Sequence, residues 1–97
     1  MDILHDHQHQ SFLTLLNGES IWISYSKPDP HTMKIEGTYT PRRFSTNEIR
    51  NALAEYVLNY AQQNKFHIVV ACMFIRKYID ENPQYYALEI RRKTDAA

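Results

Sequence analysis

The sequence predicts a small α/β domain of α+β layout, with a mixed, mostly antiparallel sheet, one parallel crossover and two helices. Three observations predict it: an Asn-Gly pair between two apolar runs, a long stretch of helical periodicity, and a short apolar run after that stretch. The expected element order is β-β-β-α-β-α. A length of 97 residues is typical of one domain, so we expect residues 1–97 to form a single domain with frayed ends at 1–9 and 91–97.

The pair Asn17-Gly18 predicts a β-hairpin, because both residues tolerate the positive φ angles of a type I′ turn. The paired strands are expected at residues 11–16 and 19–26. A two-residue turn sets Phe12 opposite Ile23, and the face expected to be buried then carries Phe12, Thr14, Leu16, Ile21, Ile23 and Tyr25. The opposite face carries Leu13, Leu15 and Trp22 among serines, and it is apolar enough to need partial cover.

A proline-containing turn and a third strand are expected next. Two prolines within residues 27–31 cannot donate to a sheet, which predicts a turn there. Residues 32–40 then alternate with a period of two, which predicts a strand with Met33, Ile35, Gly37 and Tyr39 on one face.

The most regular pattern is that of a helix over residues 46–64. Apolar residues recur there at i, i+3 and i+4, and Tyr56 and Tyr60 belong to this stripe, so we interpret both as packing residues. At its start, Ser45 and Glu48 have the spacing of a capping box, in which each side chain bonds the other residue's backbone amide.

A buried strand and a short helix are predicted after the long helix. Residues 67–72 are almost wholly apolar, which is typical of a strand covered on both faces, and they complete a parallel strand–helix–strand crossover. Residues 74–81 have helical spacing and end before Asn82-Pro83. Residues 85–90 are expected to form a last strand or an ordered tail.

Composition excludes several classes of protein. Eleven Lys and Arg residues balance eleven Asp and Glu residues, which argues against a nucleic-acid-binding domain. The single cysteine, Cys72, excludes an internal disulfide and a multi-cysteine zinc site. The longest apolar run, residues 68–75, is too short to span a membrane, and the N-terminus has no signal-peptide pattern, so we expect a cytoplasmic protein.

Cys72 is the first candidate for chemistry. It lies where the buried strand ends, the edge at which open α/β sheets bind ligands, and the following helix N-terminus would favour a thiolate. It is a candidate nucleophile or pocket residue, and the alternative is a small buried apolar side chain. His67 is an odd number of residues away, so it is a poor dyad partner within one strand.

Tyr78 on the short helix could donate a proton, or pack in the core.

Two further clusters have both a functional and an ordinary interpretation. His5, His7 and His9 would share one face of an extended segment and could bind Zn²⁺ or Ni²⁺, although terminal histidines are more often solvated. Arg42, Arg43 and Arg50 surround the start of the long helix, which suits either an anion site or a solvated basic loop.

The stretch Cys-Met-Phe-Ile-Arg-Lys-Tyr-Ile-Asp-Glu-Asn-Pro-Gln-Tyr, residues 72–85, resembles the C-terminal signature of a short subgroup of GNAT-type N-acetyltransferases. That subgroup carries a Cys-Pro-Phe segment, a short helix and then Pro-x-Tyr. The resemblance extends over residues 10–86, with further matches at Phe12, Asn17-Gly18, Tyr25, Pro41 and Ala52-Leu53.

The resemblance implies a GNAT-like fold, acetyl-CoA as cofactor and an amine as acceptor. It implies that Cys72 lies near the thioester, as transient acyl acceptor or pocket lining, and that Tyr78 is an acid for the leaving thiolate. We expect no metal at this site. The resemblance places the cofactor against the helix start and the segment after Cys72, with the expected binding residues Arg42, Arg43, Phe44, Ser45, Thr46, Asn47, Arg50 and Phe74.

The sequence departs from the subgroup at the expected cofactor loop. The glycine-rich loop falls on residues 45–51, where Thr46, Glu48 and Arg50 occupy its small positions, and neither Gly18 nor Gly37 lies there. Glu48 also brings negative charge to the expected phosphate site.

Two single positions also depart from the subgroup. Tyr39 stands where the subgroup has an acidic residue, and Met73 where it has proline. The departures at the cofactor loop favour the alternative, a non-catalytic GNAT-like module that has lost acetyl-CoA binding. It would bind another ligand or a protein partner, for which the face of Leu13, Leu15 and Trp22 is a candidate, and it could form a homodimer.

Overall fold

The structure, a computed structural model, describes residues 2–41 and 47–90. In this part of the chain five strands form one sheet in the order β1-β2-β3-β4-β5, antiparallel except for the parallel pair β4–β5. The strands and helices are β1 (Leu4–Asp6), β2 (Ser11–Leu16), β3 (Glu19–Asp29), β4 (Thr32–Tyr39), α1 (Asn47–Gln63), β5 (His67–Val70), α2 (Met73–Glu81) and a 3₁₀ helix (Pro83–Leu88). The predicted mixed sheet, with its one parallel crossover, is confirmed.

The hairpin of β2 and β3 has the predicted register. Phe12 is opposite Ile23 and Thr14 is opposite Ile21, and all four residues are buried. Asn17 and Gly18 have φ angles of 52° and 80°, the positive values that a type I′ turn needs.

We had expected residues 1–9 to be frayed, but part of this N-terminal segment is a strand. Leu4–Asp6 forms β1 and pairs with β2, with His5 opposite Phe12. The His5 ring stacks on the Phe12 ring with their centroids 4.0 Å apart, so an aromatic contact adds to the short strand pairing. Residues 91–97 lie outside the described residues.

The prediction of a turn over the whole of residues 27–31 is also wrong. β3 continues to Asp29, which pairs with Thr32, and a register shift between Ser26 and Asp29 accommodates Pro28, which has no amide hydrogen to donate. The turn itself is Pro30-His31. The backbone N–H of His31 donates to Asp29 Oδ1 at 2.8 Å, and this bond lowers the pKa of Asp29.

A β-bulge in β4 changes the predicted alternation of faces. Ser24 is opposite Gly37 but Tyr25 is opposite Ile35, so Glu36 is the extra residue. Beyond it Thr38, paired with Ile23, lies on the helix-facing side of the sheet. Tyr39, which we had placed on the face of Met33 and Ile35, lies on the opposite side.

α1 crosses the sheet face that carries Phe12 and Ile23, and its buried residues are Leu53, Ala54, Val57, Leu58 and Ala61. Compared with the prediction, the buried stripe is shifted toward Ala54 and Leu58, because α2 and the 3₁₀ helix also pack against α1. Tyr56, expected to be a packing residue, is 43% exposed, and its ring makes a T-shaped contact with Phe12 at a centroid distance of 5.9 Å. Tyr60 is half-buried and packs on the core, as expected.

The C-terminal segment is a 3₁₀ helix followed by a single bridge to the sheet. The expected strand or ordered tail at residues 85–90 is therefore mostly helical. Ile68 and Glu89 form a parallel bridge, and the Ile90 amide donates to the Ile68 carbonyl at 2.8 Å. Within residues 2–41 and 47–90, no helix is long and apolar enough to cross a membrane.

Candidate active site

The two parallel strands separate before β4 ends. Their pairing runs from Thr32 opposite His67 to Ile35 opposite Val70, and the Ala71 amide makes one further bond to the Ile35 carbonyl at 2.9 Å. β4 then bulges at Glu36 and continues to Tyr39 beside β3. We call the space beyond the Ile35–Val70 pair the β4–β5 gap.

Thr38 and Cys72 meet across the β4–β5 gap. Thr38 Oγ1 lies 3.3 Å from Cys72 Sγ, within hydrogen-bonding distance for sulfur. Cys72 is 8% exposed and belongs to the hydrophobic core, whereas Thr38 is half-buried. The bulge is what brings Thr38 to this side of the sheet, because a regular β4 would present Tyr39 here instead.

Cys72 is also the N-cap residue of α2. Its backbone is extended, with φ −110° and ψ 124°, and its carbonyl accepts the Arg76 amide at 2.9 Å. Its side chain makes no cap bond, and the thiol faces Thr38 instead. Cys72 thus lies at the predicted strand–helix junction, although β5 ends at Val70, two residues earlier than predicted.

Arg50 and Phe74 connect the start of α1 to α2. The Arg50 guanidinium lies over the Phe74 ring, 5.0 Å from its centroid, and also bonds to the Asn47 side-chain oxygen. Arg50 Nε is buried without a hydrogen-bond partner among the described residues. The Arg50 cation, with an unused donor, therefore lies beside the ring of Phe74, which is two residues after Cys72 in the chain.

Tyr78 lies one helical turn beyond Phe74, with its ring 6.4 Å from the Phe74 ring and 6.2 Å from the Tyr85 ring. Burial raises its pKa, and the charges of Tyr85 and Glu55 act in the same direction. The phenol is therefore held in its protonated form. These neighbours place Tyr78 in an aromatic cluster, with Phe74 between it and the Arg50 side chain.

Comparison with known proteins agrees with this architecture. A sequence model described as GCN5-related N-acetyl-transferase matches residues 11–88. The chain belongs to this N-acetyltransferase family. It is similar to Protein NATD1 of Danio rerio, with 25% identity over 87 residues that cover 88% of this chain and 79% of that protein. Protein NATD1 of Xenopus tropicalis is 26% identical over 87 residues, covering 88% and 80% of the two chains.

A solved structure shows the same fold. The NMR solution structure of a GCN5-like protein from Staphylococcus aureus aligns with a TM-score of 0.71 over 95% of this chain and 90% of that one. The two sequences are 17% identical, so the similarity concerns the fold. The N-acetyltransferase fold implied by residues 72–85 is therefore confirmed.

Several residues that the N-acetyltransferase resemblance singled out do not meet at the β4–β5 gap. Tyr39 stacks on Trp22 on the opposite sheet face, with ring centroids 4.8 Å apart. Met73 is 89% exposed, and Glu48 is exposed in the first turn of α1. The expected cofactor residues Arg42, Arg43, Phe44, Ser45 and Thr46 lie outside the described residues, as does the Ser45 half of the capping box.

The histidines lie away from the gap. Only residues 4–6 of the N-terminal segment are extended. The rings of His5 and His7 lie 3.7 Å apart, but His9 turns to Asp6, so the three histidines do not share one face as we had expected. His5 is half-buried, whereas His9 bonds through Nδ1 to Asp6 Oδ2 at 2.8 Å. Residues 2–41 and 47–90 contain no group of three or more His, Cys, Asp or Glu side chains arranged to hold a metal ion. His67 is exposed at the start of β5, the end away from Cys72.

Thr38 is the site residue that sequence reasoning missed. The one signal for it is Gly37, because an isolated glycine inside a strand pattern often marks a bulge. A bulge next to Gly37 reverses the faces of the residues that follow.

Proposed function

We propose that this protein transfers the acetyl group of acetyl-CoA to an amine at the β4–β5 gap. The observation that carries the proposal is the separation of the two parallel strands directly before Cys72, with Thr38 and Cys72 facing each other across it. Membership of the N-acetyltransferase family supports the reaction class.

The described residues near the gap fit an anionic, partly apolar cofactor. Arg50 offers a positive charge and an Nε–H donor without a partner in the described chain, and Phe74 offers an apolar surface beside it. The described part of α1 begins at Asn47, and the N-terminus of a helix favours anions. Glu48 opposes binding, since a like-charge contact at about 4–5 Å costs on the order of 1–4 kcal/mol.

Bound acetyl-CoA supplies an activated thioester. The amine nitrogen loses a proton as it gains the acetyl group, and the departing thiolate gains one. Tyr78, whose raised pKa keeps its phenol protonated, is the proposed proton source. Cys72 acts either as transient acyl acceptor or as lining of the acetyl pocket. Thr38, at 3.3 Å, orients its thiol in both cases.

Calorimetric titration with acetyl-CoA tests the binding step. We expect saturable binding, weaker in Arg50→Met and unchanged in the matched control Lys77→Met, because Lys77 is an exposed cation on α2. Removing the opposing carboxylate by Glu48→Gly should tighten the binding about tenfold or more. Absence of binding at millimolar acetyl-CoA would refute the proposal and favour a non-catalytic module.

Turnover is measured by CoA release over a panel of primary amines. If Cys72 accepts the acetyl group, Cys72→Ala should abolish turnover and leave acetyl-CoA affinity nearly intact. If Cys72 only lines the pocket, Cys72→Ala should retain most of the turnover. Tyr78→Phe should lower kcat with little change in affinity, and an unchanged kcat would remove Tyr78 from the mechanism.

A further inference from the structure

A second cavity lies at the opposite end of the β4–β5 pair from Cys72. It has a volume of about 150 Å³ and is bounded by the β1–β2 turn, the ends of β3 and α1, and the start of β4. Tyr25 and Met33, both buried, form its floor, and Tyr60 and Phe66 form its walls. His7, Gln10 and Lys27 stand at its mouth. We call this cavity the basal pocket.

The volume of the basal pocket limits the size of its ligand. A water molecule takes up roughly 30 Å³ of liquid, so the pocket has room for about five waters. Sites for cofactor-sized molecules are typically about 300–1,000 Å³. The basal pocket therefore suits a small organic molecule.

The charge of the lining favours an anion. Lys27 is the cation among the lining residues, and none of the residues that line this cavity is acidic. Lys27 Nζ lies 5.1 Å from the centroid of the Phe66 ring, so the charge is held against the pocket wall. Gln10 and His7 add side-chain N–H donors at the same mouth.

The charged and titratable groups next to the basal pocket do not cancel the positive charge of its lining. The charge of Asp6 tends to raise the pKa values of His5 and Tyr25. Both Asp6 carboxylate oxygens are hydrogen-bonded to His9, one to its backbone amide at 3.1 Å and the other to its ring Nδ1 at 2.8 Å. His5 bonds to the Tyr25 hydroxyl at 2.5 Å behind the pocket floor. Asp6 remains a carboxylate, but its oxygens are taken up by His9 and it does not line the basal pocket.

Gln10 is held in place by an unusual backbone conformation. Its φ angle is 47°, in the left-handed region that non-glycine residues rarely adopt, and its carbonyl accepts the Tyr25 amide at 2.9 Å. Such conformations persist where the surrounding structure holds them and often occur at binding sites. The bond to Tyr25 therefore holds the backbone that carries the Gln10 side chain at the mouth of the pocket.

We propose that the basal pocket binds a small organic carboxylate. Lys27 and Gln10 bind its carboxylate group, and the rings of Tyr60 and Phe66 contact its apolar part. One cation with neutral donors matches a monoanion, and aromatic walls match a carboxylate that carries an apolar group. This site is separate from the β4–β5 gap, so it does not depend on acetyl transfer.

The test is a ¹H–¹⁵N NMR titration of the full chain with benzoate, at constant ionic strength set by chloride. We expect saturable shifts of the Gln10 and Phe66 amides in the millimolar range. Acetate should bind more weakly because it lacks an apolar group for the walls. Uncharged benzamide should bind more weakly because it lacks the charge.

The matched variants are Lys27→Met, which removes the pocket cation, and Lys77→Met, which removes an exposed lysine on α2. Lys27→Met should weaken benzoate binding about tenfold or more, and Lys77→Met should leave it unchanged. The one-dimensional spectrum of each variant reports whether it is folded. Equal affinity of Lys27→Met and wild type, no saturable shift with benzoate, or tighter binding of inorganic phosphate than of benzoate would overturn the proposal.

Discussion

Thr38 Oγ1 lies 3.3 Å from Cys72 Sγ, and this contact joins β4 to the start of α2 where the β4–β5 pairing has already ended. Replacing Thr38 with Val keeps the side-chain shape and removes the hydroxyl. We expect a loss of about 0.5–1.5 kcal/mol in the free energy of unfolding, measured by urea denaturation, because a half-buried hydrogen bond is lost.

Thr38→Ser retains the hydroxyl and serves as its control. A double-mutant cycle with Cys72→Ala isolates the pair, and a coupling energy of zero would show that the contact contributes nothing to stability.

Lys65 occupies a position that usually belongs to glycine. α1 ends in a Schellman motif, in which the Phe66 amide bonds to the Ala61 carbonyl at 2.8 Å and the Lys65 amide to the Gln62 carbonyl at 3.2 Å. Lys65 has a φ angle of 58° there. Lys65→Gly should raise the stability by about 0.5–1 kcal/mol and the Tm by about 2–8 °C in calorimetry. Lys65→Ala is the control that keeps the strain, and equal gains in both variants would contradict the explanation.

The stacking of Trp22 on Tyr39 can be followed by fluorescence, because Trp22 is the chain's single tryptophan. A Cβ atom added at Gly37 would lie 3.0 Å from the Tyr39 hydroxyl and 3.2 Å from the adjacent ring carbon. Gly37→Ala should therefore displace the Tyr39 ring and shift the Trp22 emission. Tyr39→Ala should shift it in the same direction. An emission change in Tyr39→Ala alone would mean that the ring tolerates the added methyl group.

His5 should make the stability depend on pH. Desolvation lowers its pKa from the ordinary value of 6.5, and the neighbouring His7 lowers it further. The folded state thus binds its proton less readily than the unfolded chain, so this stabilisation is complete above about pH 6.5 and is lost as the pH falls toward the folded pKa. The urea concentration at the midpoint of unfolding should decrease as the pH is lowered from about 8 to about 5.

His5→Phe keeps the stacking on Phe12 and should reduce that slope. His67→Gln, at an exposed histidine of β5, is the control that should keep the slope. NMR titration of the His5 ring gives the pKa directly, and a value above 6.5 would refute the argument.

Arg76 and Glu89 tie the end of the chain to α2. The two guanidinium nitrogens lie 2.5 and 2.9 Å from the two Glu89 oxygens, and this hydrogen bonding raises the pKa of Arg76. Glu89 is 12% exposed in its side chain. Glu89→Gln should lower the free energy of unfolding by about 1–2 kcal/mol, a value between those typical of exposed and of buried ion pairs. Asp80→Asn, which removes an exposed partner 3.4 Å from Arg76, should cost less than about 0.5 kcal/mol. Similar costs for both variants would contradict a special role for Glu89.

Local sequence patterns were sufficient for the hairpin, the long helix and the crossover. The Asn17-Gly18 turn sets the register of β2 and β3, since a two-residue loop leaves one pairing in which Phe12 and Ile23 share the buried face. Apolar periodicity located α1, and the motif from Cys72 to Tyr85 indicated the family. In each case the signal lies within a few neighbouring residues.

Long-range contacts determined the rest. β1 pairs with β2 in the register that stacks His5 on Phe12. α2 and the 3₁₀ helix pack against α1 and shift its buried side away from Tyr56. The basal pocket likewise joins side chains from distant parts of the chain, among them Gln10, Lys27 and Phe66.

The sequence by itself determined the order of the elements from β2 to α2, the position of Cys72 at the strand–helix junction and the N-acetyltransferase family, because these follow from local periodicity and a contiguous motif. The tertiary structure decided which side chain faces Cys72. One extra residue, Glu36, reverses the faces of the strand beyond it, so Thr38 borders the β4–β5 gap and Tyr39 stacks on Trp22. A bulge depends on the register between two strands, and that register depends on how β3, β4 and the helices pack together.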